Sequence, residues 1–285
     1  MADITTSQIN DLRTRTNAGM MDCKKALIEA KGDMDVAVKL LRERGLAIQV
    51  KRAAKEANQG IVQAAASPDG RALALVEVNC ETDFVAKTDR YKAFVNAAAA
   101  KVLAGDEKVA ESMKDAIVEI VAATGENVKI RRVARFALAG AGRLESYIHM
   151  GGKVGVLVEV ACGNAATASN PAFTEVAHDV ALQIAAASPR WLNSTEVPAD
   201  VIAAEKDIYR KQVEDQNKDK PKPPQIVEKI LEGKIRKFFT EVCLVDQPFV
   251  KEPKMSVTQV VDGAAKKLGD TLAIKRFVRF QLGAA

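Results

Sequence analysis

The chain has 285 residues, 48% of them hydrophobic and 28% charged, a balance that excludes disordered and fibrous proteins and fits one large or several small globular domains. The formal net charge of +5 arises from 42 Lys and Arg residues dispersed among 37 Asp and Glu residues, while aromatic residues make up only 5%. Because nucleic-acid-binding proteins usually concentrate basic residues in a stripe with interleaved aromatic residues, we expect no direct contact with nucleic acid.

The sequence carries no targeting features. Its first residues lack the basic and apolar regions of a signal peptide, and no apolar run approaches the roughly 18 residues that a membrane-spanning helix needs. Cys23, Cys80, Cys162 and Cys243 lie far apart and form no CxxC pair, which predicts reduced, buried thiols rather than disulfide bonds or a zinc site. We therefore predict a soluble cytoplasmic protein with no membrane association.

Residues 1–55 predict a compact unit of three helices. A turn at residues 16–19 separates the first helix from a second at about 22–30, and the third is predicted to stop at Gly45. A bundle this small resembles the ubiquitin-associated fold. The basic segment 51–55 then predicts a helical linker to the next domain.

An internal repeat dominates the middle of the chain. Residues 75–80 (LVEVNC) recur as residues 157–162 (LVEVAC), an offset of 159 − 77 = 82. Each copy follows a glycine-marked turn, which predicts a β-hairpin, and precedes an alanine-rich helical segment. The turns fall at 69–70 and 151–152, and the helical segments at 91–103 and 173–187.

A second pair of similar segments defines the end of each repeat. Residues 130–136 (IRRVARF) recur as 274–280 (IKRFVRF), and both alternate charged and apolar residues as half-buried strands do. This offset, 274 − 130 = 144, exceeds the first by 62, so the second copy carries an insertion, placed at about 191–240. Two amphipathic helical patterns flank a proline-rich turn at 219–224, which predicts an antiparallel helical hairpin, and a protruding coiled coil is the simplest interpretation.

We therefore predict an α+β protein with antiparallel strands in two related core subdomains. The predicted domains are a three-helix, ubiquitin-associated-like head (1–55), core subdomain N (56–140), and core subdomain C (141–285) with the coiled-coil insertion at about 191–240.

Residues suited to covalent catalysis are few. The chain has two histidines, and one hypothesis pairs Cys80 with His149 as an activated nucleophile. Because Cys80 recurs as Cys162 in the second repeat, a packing role is favoured for both. The sequence contains no P-loop, dinucleotide-binding turn or metal-ligand spacing, so we expect no enzyme activity, cofactor or metal.

One segment departs from the repeat. Residues 81–87 (ETDFVAK) have no equivalent in the second copy, where Gly163 follows the strand. From the pattern alone, the favoured interpretation is that Thr82 or Asp83 caps a helix and Phe84 packs beneath it. The alternative is an exposed acidic and aromatic pair offered to a partner. Met20 and Met21 pose the same choice between core filling and an adaptable contact surface.

Two long segments carry a family resemblance. Residues 12–27 (LRTRTNAGMMDCKKAL) and 77–87 (EVNCETDFVAK) resemble the two signature sequences of the bacterial elongation factor Ts family, and the resemblance covers essentially the whole chain. The family has a ubiquitin-associated-like head, a duplicated core and a coiled-coil insertion, as predicted above. The resemblance implies a translation elongation factor that acts as a guanine-nucleotide exchange factor. It would bind elongation factor Tu in its GDP-bound and nucleotide-free forms and promote GDP release so that GTP can bind.

The resemblance also implies which residues contact the partner, and it favours the exposed pair over the helix-capping interpretation. Phe84 would enter the GTPase domain between helices near its magnesium site, and Asp83 would make polar contacts there. The coiled coil would serve for self-association or additional contacts. The implied partner-binding residues are Thr82, Asp83, Phe84 and Val85 at the magnesium site, Arg13, Met20, Met21 and Lys24 in the head, and His149 in the second subdomain.

Three alternatives remain open from the sequence. The head alone would fit a protein that binds ubiquitin-like partners. Arginines and a lysine in the two terminal strands would fit an RNA-binding translation protein, although such charges more often form a solvated face. An enzyme built on Cys80 is the third. The strand residues concerned are Arg131, Arg132, Arg135, Lys275, Arg276 and Arg279.

Overall fold

The computed structural model describes residues 4–16, 18–218 and 223–284. After three N-terminal helices, the order of β-hairpin, helices and last strand occurs twice along this part of the chain. The helices are α1 (Thr6–Thr16), α2 (Met20–Glu29), α3 (Met34–Arg52), α4 (Asp83–Lys87), α5 (Asp89–Leu103), α6 (Val109–Ser112), α7 (Lys114–Thr124), α8 (Ala165–Ala168), α9 (Pro171–Ala187), α10 (Ala199–Gln216), α11 (Pro224–Val242) and α12 (Val257–Leu268). The strands are β1 (Gln59–Ala66), β2 (Ala72–Cys80), β3 (Lys129–Ala137), β4 (Gly142–His149), β5 (Val154–Cys162), β6 (Pro248–Phe249), β7 (Glu252–Ser256) and β8 (Leu272–Gln281).

The sheets confirm the predicted repeat and the α+β class. One sheet has the order β1-β2-β3 and another has the order β4-β5-β8, so in both the last strand pairs with the second strand of the hairpin. Strands β1 and β2 are antiparallel, with Gln59 opposite Cys80 and Ala66 opposite Leu73. The repeat also contains helices α7 and α12 before its last strand, which the sequence analysis did not predict.

The chain forms two compact units. The first comprises the described parts of Met1–Phe136, Ile148–Gly155 and Phe280–Ala285, and the second comprises Ala137–Tyr147 and Val156–Arg279. The tip of the second hairpin thus belongs to the first unit, where the Val62 N–H donates to the carbonyl of Gly152 at 2.8 Å.

The core of the first unit is built on β2 and α5. Alternate β2 residues Ala74, Val76 and Val78 are fully buried, because the strand is central in its sheet and covered by α5. Each fully buried aliphatic side chain of valine size contributes about 1.5–3 kcal/mol. Tyr91 on α5 is also fully buried, and its hydroxyl donates to the carbonyl of Val78 at 2.7 Å.

The three-helix unit differs from its prediction at two boundaries. Helix α2 begins at Met20 rather than at about residue 22, because extended Gly19 forms its N-cap. Helix α3 runs through Gly45 to Arg52. Gly45 allows close helix packing instead of ending the helix, since a Cβ atom there would lie 2.8 Å from Cγ1 of Val118 on α7. Asn17, in the predicted turn, lies outside the described residues.

Helices α10 and α11 in the second unit form an antiparallel pair. Arg210 binds Glu228 at 3.2 Å and Lys234 binds Gln212 at 3.3 Å. Phe238, near the end of α11, packs in one cluster with residues at the start of α10. Residues 219–222 of the predicted proline-rich turn lie outside the described residues, and Pro224 is the first residue of α11. No helix in the described part of the chain combines the length and apolar character that crossing a membrane requires.

Candidate functional site

Segment Thr82–Val85 begins two residues after the end of β2, and Asp83 is the first residue of α4. The hydroxyl of Thr82 accepts a hydrogen bond from the Val85 N–H at 3.4 Å, so the predicted helix cap is confirmed. The prediction that Phe84 packs beneath the helix is wrong, because its side chain is 78% exposed. Val85 instead lies half-buried against the core, since consecutive residues of a helix point in different directions.

Asp83 and Phe84 share a lysine neighbour. Lys87, one turn further along α4, donates to Asp83 at 2.6 Å, and its ammonium lies 5.9 Å from the centre of the Phe84 ring. The hydrogen bond from Lys87 lowers the pKa of Asp83 below its ordinary value, and the charges of Lys87 and Lys153 add to this effect. Asp83 is therefore a carboxylate at neutral pH, beside an exposed aromatic ring.

The turn between β4 and β5 belongs to the first unit, as α4 does. Lys153 in this turn acts electrostatically on Asp83 and donates to the side-chain oxygen of Gln59 at 3.1 Å. His149, the last residue of β4, is exposed. Lys153 is thus close enough to Asp83 to act on its charge, although the two residues are 70 positions apart in sequence.

The head residues singled out from the sequence lie on two helices. Met20 and Met21 are 50% and 62% exposed on the first turn of α2, so the interpretation that they fill the core is wrong. Lys24 is exposed one turn after Met20, and Arg13 is exposed on α1. The head core is formed by other residues, among them Leu12, Cys23, Ala26, Leu27, Ala37 and Leu41.

The residues that hold the start of α4 were not predicted from the sequence. Glu126 accepts hydrogen bonds from the backbone of Glu81 and Thr82, and Asn127 and Arg52 bind Glu81. A signal was present in the repeat: a glycine followed by an acidic residue stands before the last strand of both copies, at 125–126 and 269–270. These pairs have the same offset of 144 as the strands, since 270 − 126 = 144.

Three of the strand arginines form ion pairs within their own unit, while Arg131, Arg135, Lys275 and Arg276 are exposed, as expected of a solvated face. Arg132 binds the buried carboxylate of Glu77 at 2.6 Å, and Arg276 binds Glu159 at 2.7 Å at the equivalent position of the second repeat. Arg131 also binds Glu77, at 3.2 Å. These contacts give the charges a structural role.

The environment of Cys80 disfavours a nucleophilic role. The side chain is fully buried, and burial raises the pKa of the thiol to about 11. Its Sγ donates to the carbonyl of Thr82 at 3.1 Å. Because the thiolate is the reactive species, almost none is available at neutral pH. Within the described residues, no group of three or more His, Cys, Asp or Glu side chains is arranged to hold a metal ion.

Thiol labelling is expected to separate the cysteines by burial. Cys162 is half-buried, contrary to the prediction, whereas Cys23, Cys80 and Cys243 are buried. At about pH 7.5, N-ethylmaleimide should modify Cys162 first and the other three only as the protein opens. Peptide mass spectrometry after timed labelling would measure this order. Labelling of native Cys80 as fast as Cys162 would contradict the assigned environment.

Comparisons with known proteins agree with the family resemblance of the sequence. The sequence model of the family described as Elongation factor TS matches residues 81–284. A protein named Elongation factor Ts from Trichlorobacter lovleyi is 44% identical, with 98% of this chain and 93% of the relative covered. Those of Nitratidesulfovibrio vulgaris and Symbiobacterium thermophilum are each 42% identical, covering 98% and 99% of this chain and 96% and 93% of the relatives. The chain belongs to the elongation factor Ts family.

Proposed function

We propose that this protein is a guanine-nucleotide exchange factor that binds elongation factor Tu in its GDP-bound and nucleotide-free forms and accelerates GDP release. The observation that carries the proposal is the display of Phe84, 78% exposed beside ionised Asp83, at the start of a short helix. The protein performs no covalent chemistry in this role and requires no cofactor of its own.

The exchange mechanism is a coupling of two binding equilibria. A factor that binds the nucleotide-free GTPase more tightly than the GDP form weakens GDP binding by the same factor. A weakening of about 1,000-fold requires about 4 kcal/mol of coupling free energy. Burying one phenylalanine side chain supplies only about 1.5–3 kcal/mol, so Phe84 needs support from other contacts.

We assign that support to the other residues of segment 82–85, to the head and to His149. Asp83 would exchange its contact with Lys87 for polar groups of the GTPase near the magnesium site, while Thr82 and Val85 complete the inserted segment. Displacement of the magnesium ion would leave the phosphate charge of GDP unbalanced and promote its release. The remaining proposed contacts are Arg13, Met20, Met21 and Lys24 in the head, and His149.

The proposed domain roles follow the sequence-based division. Residues 1–55 would be a ubiquitin-associated-like head that grips the GTPase domain, residues 56–140 the subdomain that carries Phe84, and residues 141–285 a subdomain that reaches the far β-domain of the partner. Helices α10 and α11 would form the coiled-coil arm, with self-association as one role.

The test is stopped-flow release of a fluorescent GDP analogue from elongation factor Tu. We expect the intact protein to accelerate GDP release. With the Asp83→Ala/Phe84→Ala double variant, the accelerated rate should be at least about tenfold lower, because both outward-pointing groups are removed. The matched control is Glu111→Ala/Val250→Ala, which removes an exposed acid and an exposed apolar side chain elsewhere and should release GDP as the intact protein does.

Two outcomes would contradict the proposal in part or in whole. Acceleration that survives the double substitution would move the mechanism away from Asp83 and Phe84 to the head or the second subdomain. No acceleration by the intact protein would contradict the exchange function itself.

A further inference from the structure

The carboxylate of Glu126 holds the backbone at the start of the segment that carries Phe84. Its Oε2 accepts hydrogen bonds from the N–H groups of Glu81 and Thr82 at 3.1 and 3.0 Å, and its Oε1 accepts the hydroxyl proton of Thr82 at 2.6 Å. Hydrogen bonds to an ionised acceptor are roughly twice as strong as neutral ones. One side chain on the turn between α7 and β3 therefore fixes both residues that precede α4.

The side chain of Glu81 in turn binds the residue that follows Glu126 and the last residue of α3. Glu81 Oε1 accepts from the backbone N–H of Asn127 at 2.7 Å, and its Oε2 accepts from Arg52 at 3.2 Å. Asn127, only 6% exposed, donates its side-chain amide to the carbonyl of Lys55 at 2.8 Å. We call Glu81, Thr82, Glu126 and Asn127 the carboxylate clamp. Through Arg52, the clamp also contacts the end of α3.

The second repeat contains the matching carboxylate but no counterpart of the Glu81 side chain. Asp270 accepts from the N–H groups of Gly163 and Asn164 at 3.1 and 3.0 Å. The positions correspond by the repeat offsets, since 126 + 144 = 270 and 81 + 82 = 163. Gly163 has no side chain to bind the following turn, and Asn164, at the position of Thr82, caps α8 through its own side chain. The second carboxylate of the clamp, that of Glu81, is therefore a feature of the repeat that carries Phe84.

The Thr82 hydroxyl connects the clamp to the helix. Because its proton is donated to Glu126, its lone pairs are directed toward the Val85 N–H that it caps. Without Glu126, the hydroxyl is free to rotate and two backbone N–H groups lose their acceptor. Helix α4 has only five residues, so it has little internal hydrogen bonding to hold its orientation alone.

We propose that Glu126, acting through the carboxylate clamp, is a positioning residue for nucleotide exchange: it fixes the orientation in which α4 presents Asp83 and Phe84 to the GTPase. This role rests on the proposed exchange function. Because the segment is already held in this orientation, binding does not have to overcome the entropy cost of ordering it.

The test compares Glu126→Ala and Glu126→Gln with Asp270→Ala. For Glu126→Ala we expect the maximal rate of GDP release at saturating factor to fall about tenfold, with less than about a threefold change in the half-saturating concentration. Glu126→Gln keeps a carbonyl oxygen that accepts from both N–H groups and should restore most of the maximal rate. Asp270→Ala removes the equivalent carboxylate in the second repeat, so it should leave the maximal rate within about twofold of the intact protein.

A second measurement tests how well residues 81–85 are held in the protein alone, without the GTPase. Amide hydrogen exchange should show lost protection at Glu81, Thr82 and Val85 in Glu126→Ala, with protection of β2 retained as evidence of folding. Lost protection with an unchanged maximal rate would overturn the positioning role while leaving the exchange function intact. Equal loss of rate in Glu126→Ala and Asp270→Ala would also overturn it, because general destabilisation would then explain both. If the intact protein fails to accelerate release, the exchange function fails, and this role fails with it.

Discussion

Replacing Gly60 with alanine is expected to lower the free energy of unfolding by about 4 kcal/mol. Gly60 lies in β1 with φ +138°, a conformation that residues with a side chain rarely adopt. A Cβ atom there would lie 2.0 Å from the carbonyl oxygen of Val78 and 2.9 Å from the hydroxyl of Tyr91. Backbone strain and overpacking therefore act together, and the carbonyl concerned is the one that buried Tyr91 binds.

Gly70→Ala is the matched control for this prediction. Gly70 also has positive φ, +68°, but a Cβ atom at this position would meet no other atom within 4 Å, so only the conformational cost of about 1–2 kcal/mol applies. Urea unfolding followed by circular dichroism would give both values, with the slope against urea compared to detect a change in cooperativity. Equal destabilisation by the two substitutions would contradict the close approach at Gly60.

Replacing Glu77 with alanine is expected to lower the free energy of unfolding by about 3 kcal/mol at pH 7. The carboxylate is fully buried and binds Arg131, Arg132 and the backbone N–H of Gly283. Its removal leaves two guanidinium groups without their partner. The arginine side chains are 29% and 30% exposed, so water compensates part of the loss and the cost stays at the low end for a buried ion pair.

The loss should depend on pH with a defined sign. Burial alone raises the pKa of Glu77, but hydrogen bonds from the Gly283 N–H and Arg132 outweigh it, and the pKa lies below its ordinary value of 4.5. A carboxyl whose pKa is lowered by folding stabilises the protein fully above its unfolded pKa. That contribution disappears as the pH falls through the lower pKa of the folded state. The difference in stability between Glu77→Ala and the intact protein should therefore be constant from about pH 6 upward and shrink below about pH 4.5.

Glu159→Ala provides the comparison in the second repeat. Glu159 pairs with Arg276 as Glu77 pairs with Arg132, but its side chain is 13% exposed rather than fully buried. We expect about half the destabilisation of Glu77→Ala. Urea unfolding at several pH values from about 3.5 to 8 would measure both variants. A difference for Glu77→Ala that grows as the pH falls would contradict a lowered pKa.

The elements of the fold were predictable where a local pattern repeats. The recurrence of residues 75–80 at 157–162 and of 130–136 at 274–280 predicted both hairpins, the helices that follow them and the last strand of each sheet. Alternation with period two and alanine-rich segments are properties of neighbouring residues, so they are readable without tertiary contacts. Helix boundaries were less predictable: Gly45 has the sequence of a helix stop but serves close packing against Val118.

The sequence predicted which residues form the candidate site better than it predicted which way their side chains point. The departure of residues 81–87 from the repeat identified the segment, and the family resemblance assigned its partner. The pattern alone favoured a buried Phe84, because an aromatic residue after a helix cap usually packs into the core. Its exposure depends on Val85 and Ala86 occupying the inner face of α4 instead.

The sequence by itself determined the duplicated α+β plan, the family and the segment that departs from the repeat. Tertiary structure alone decided that Glu126 meets Thr82, that Lys153 lies near Asp83, and that Glu77 binds two arginines. The physical reason is that these contacts join residues that lie 44 to 70 positions apart in the sequence. Periodicity and local propensity report which face of an element is buried. They carry no information on which distant side chain completes a hydrogen bond, because that depends on how the packed elements align in space.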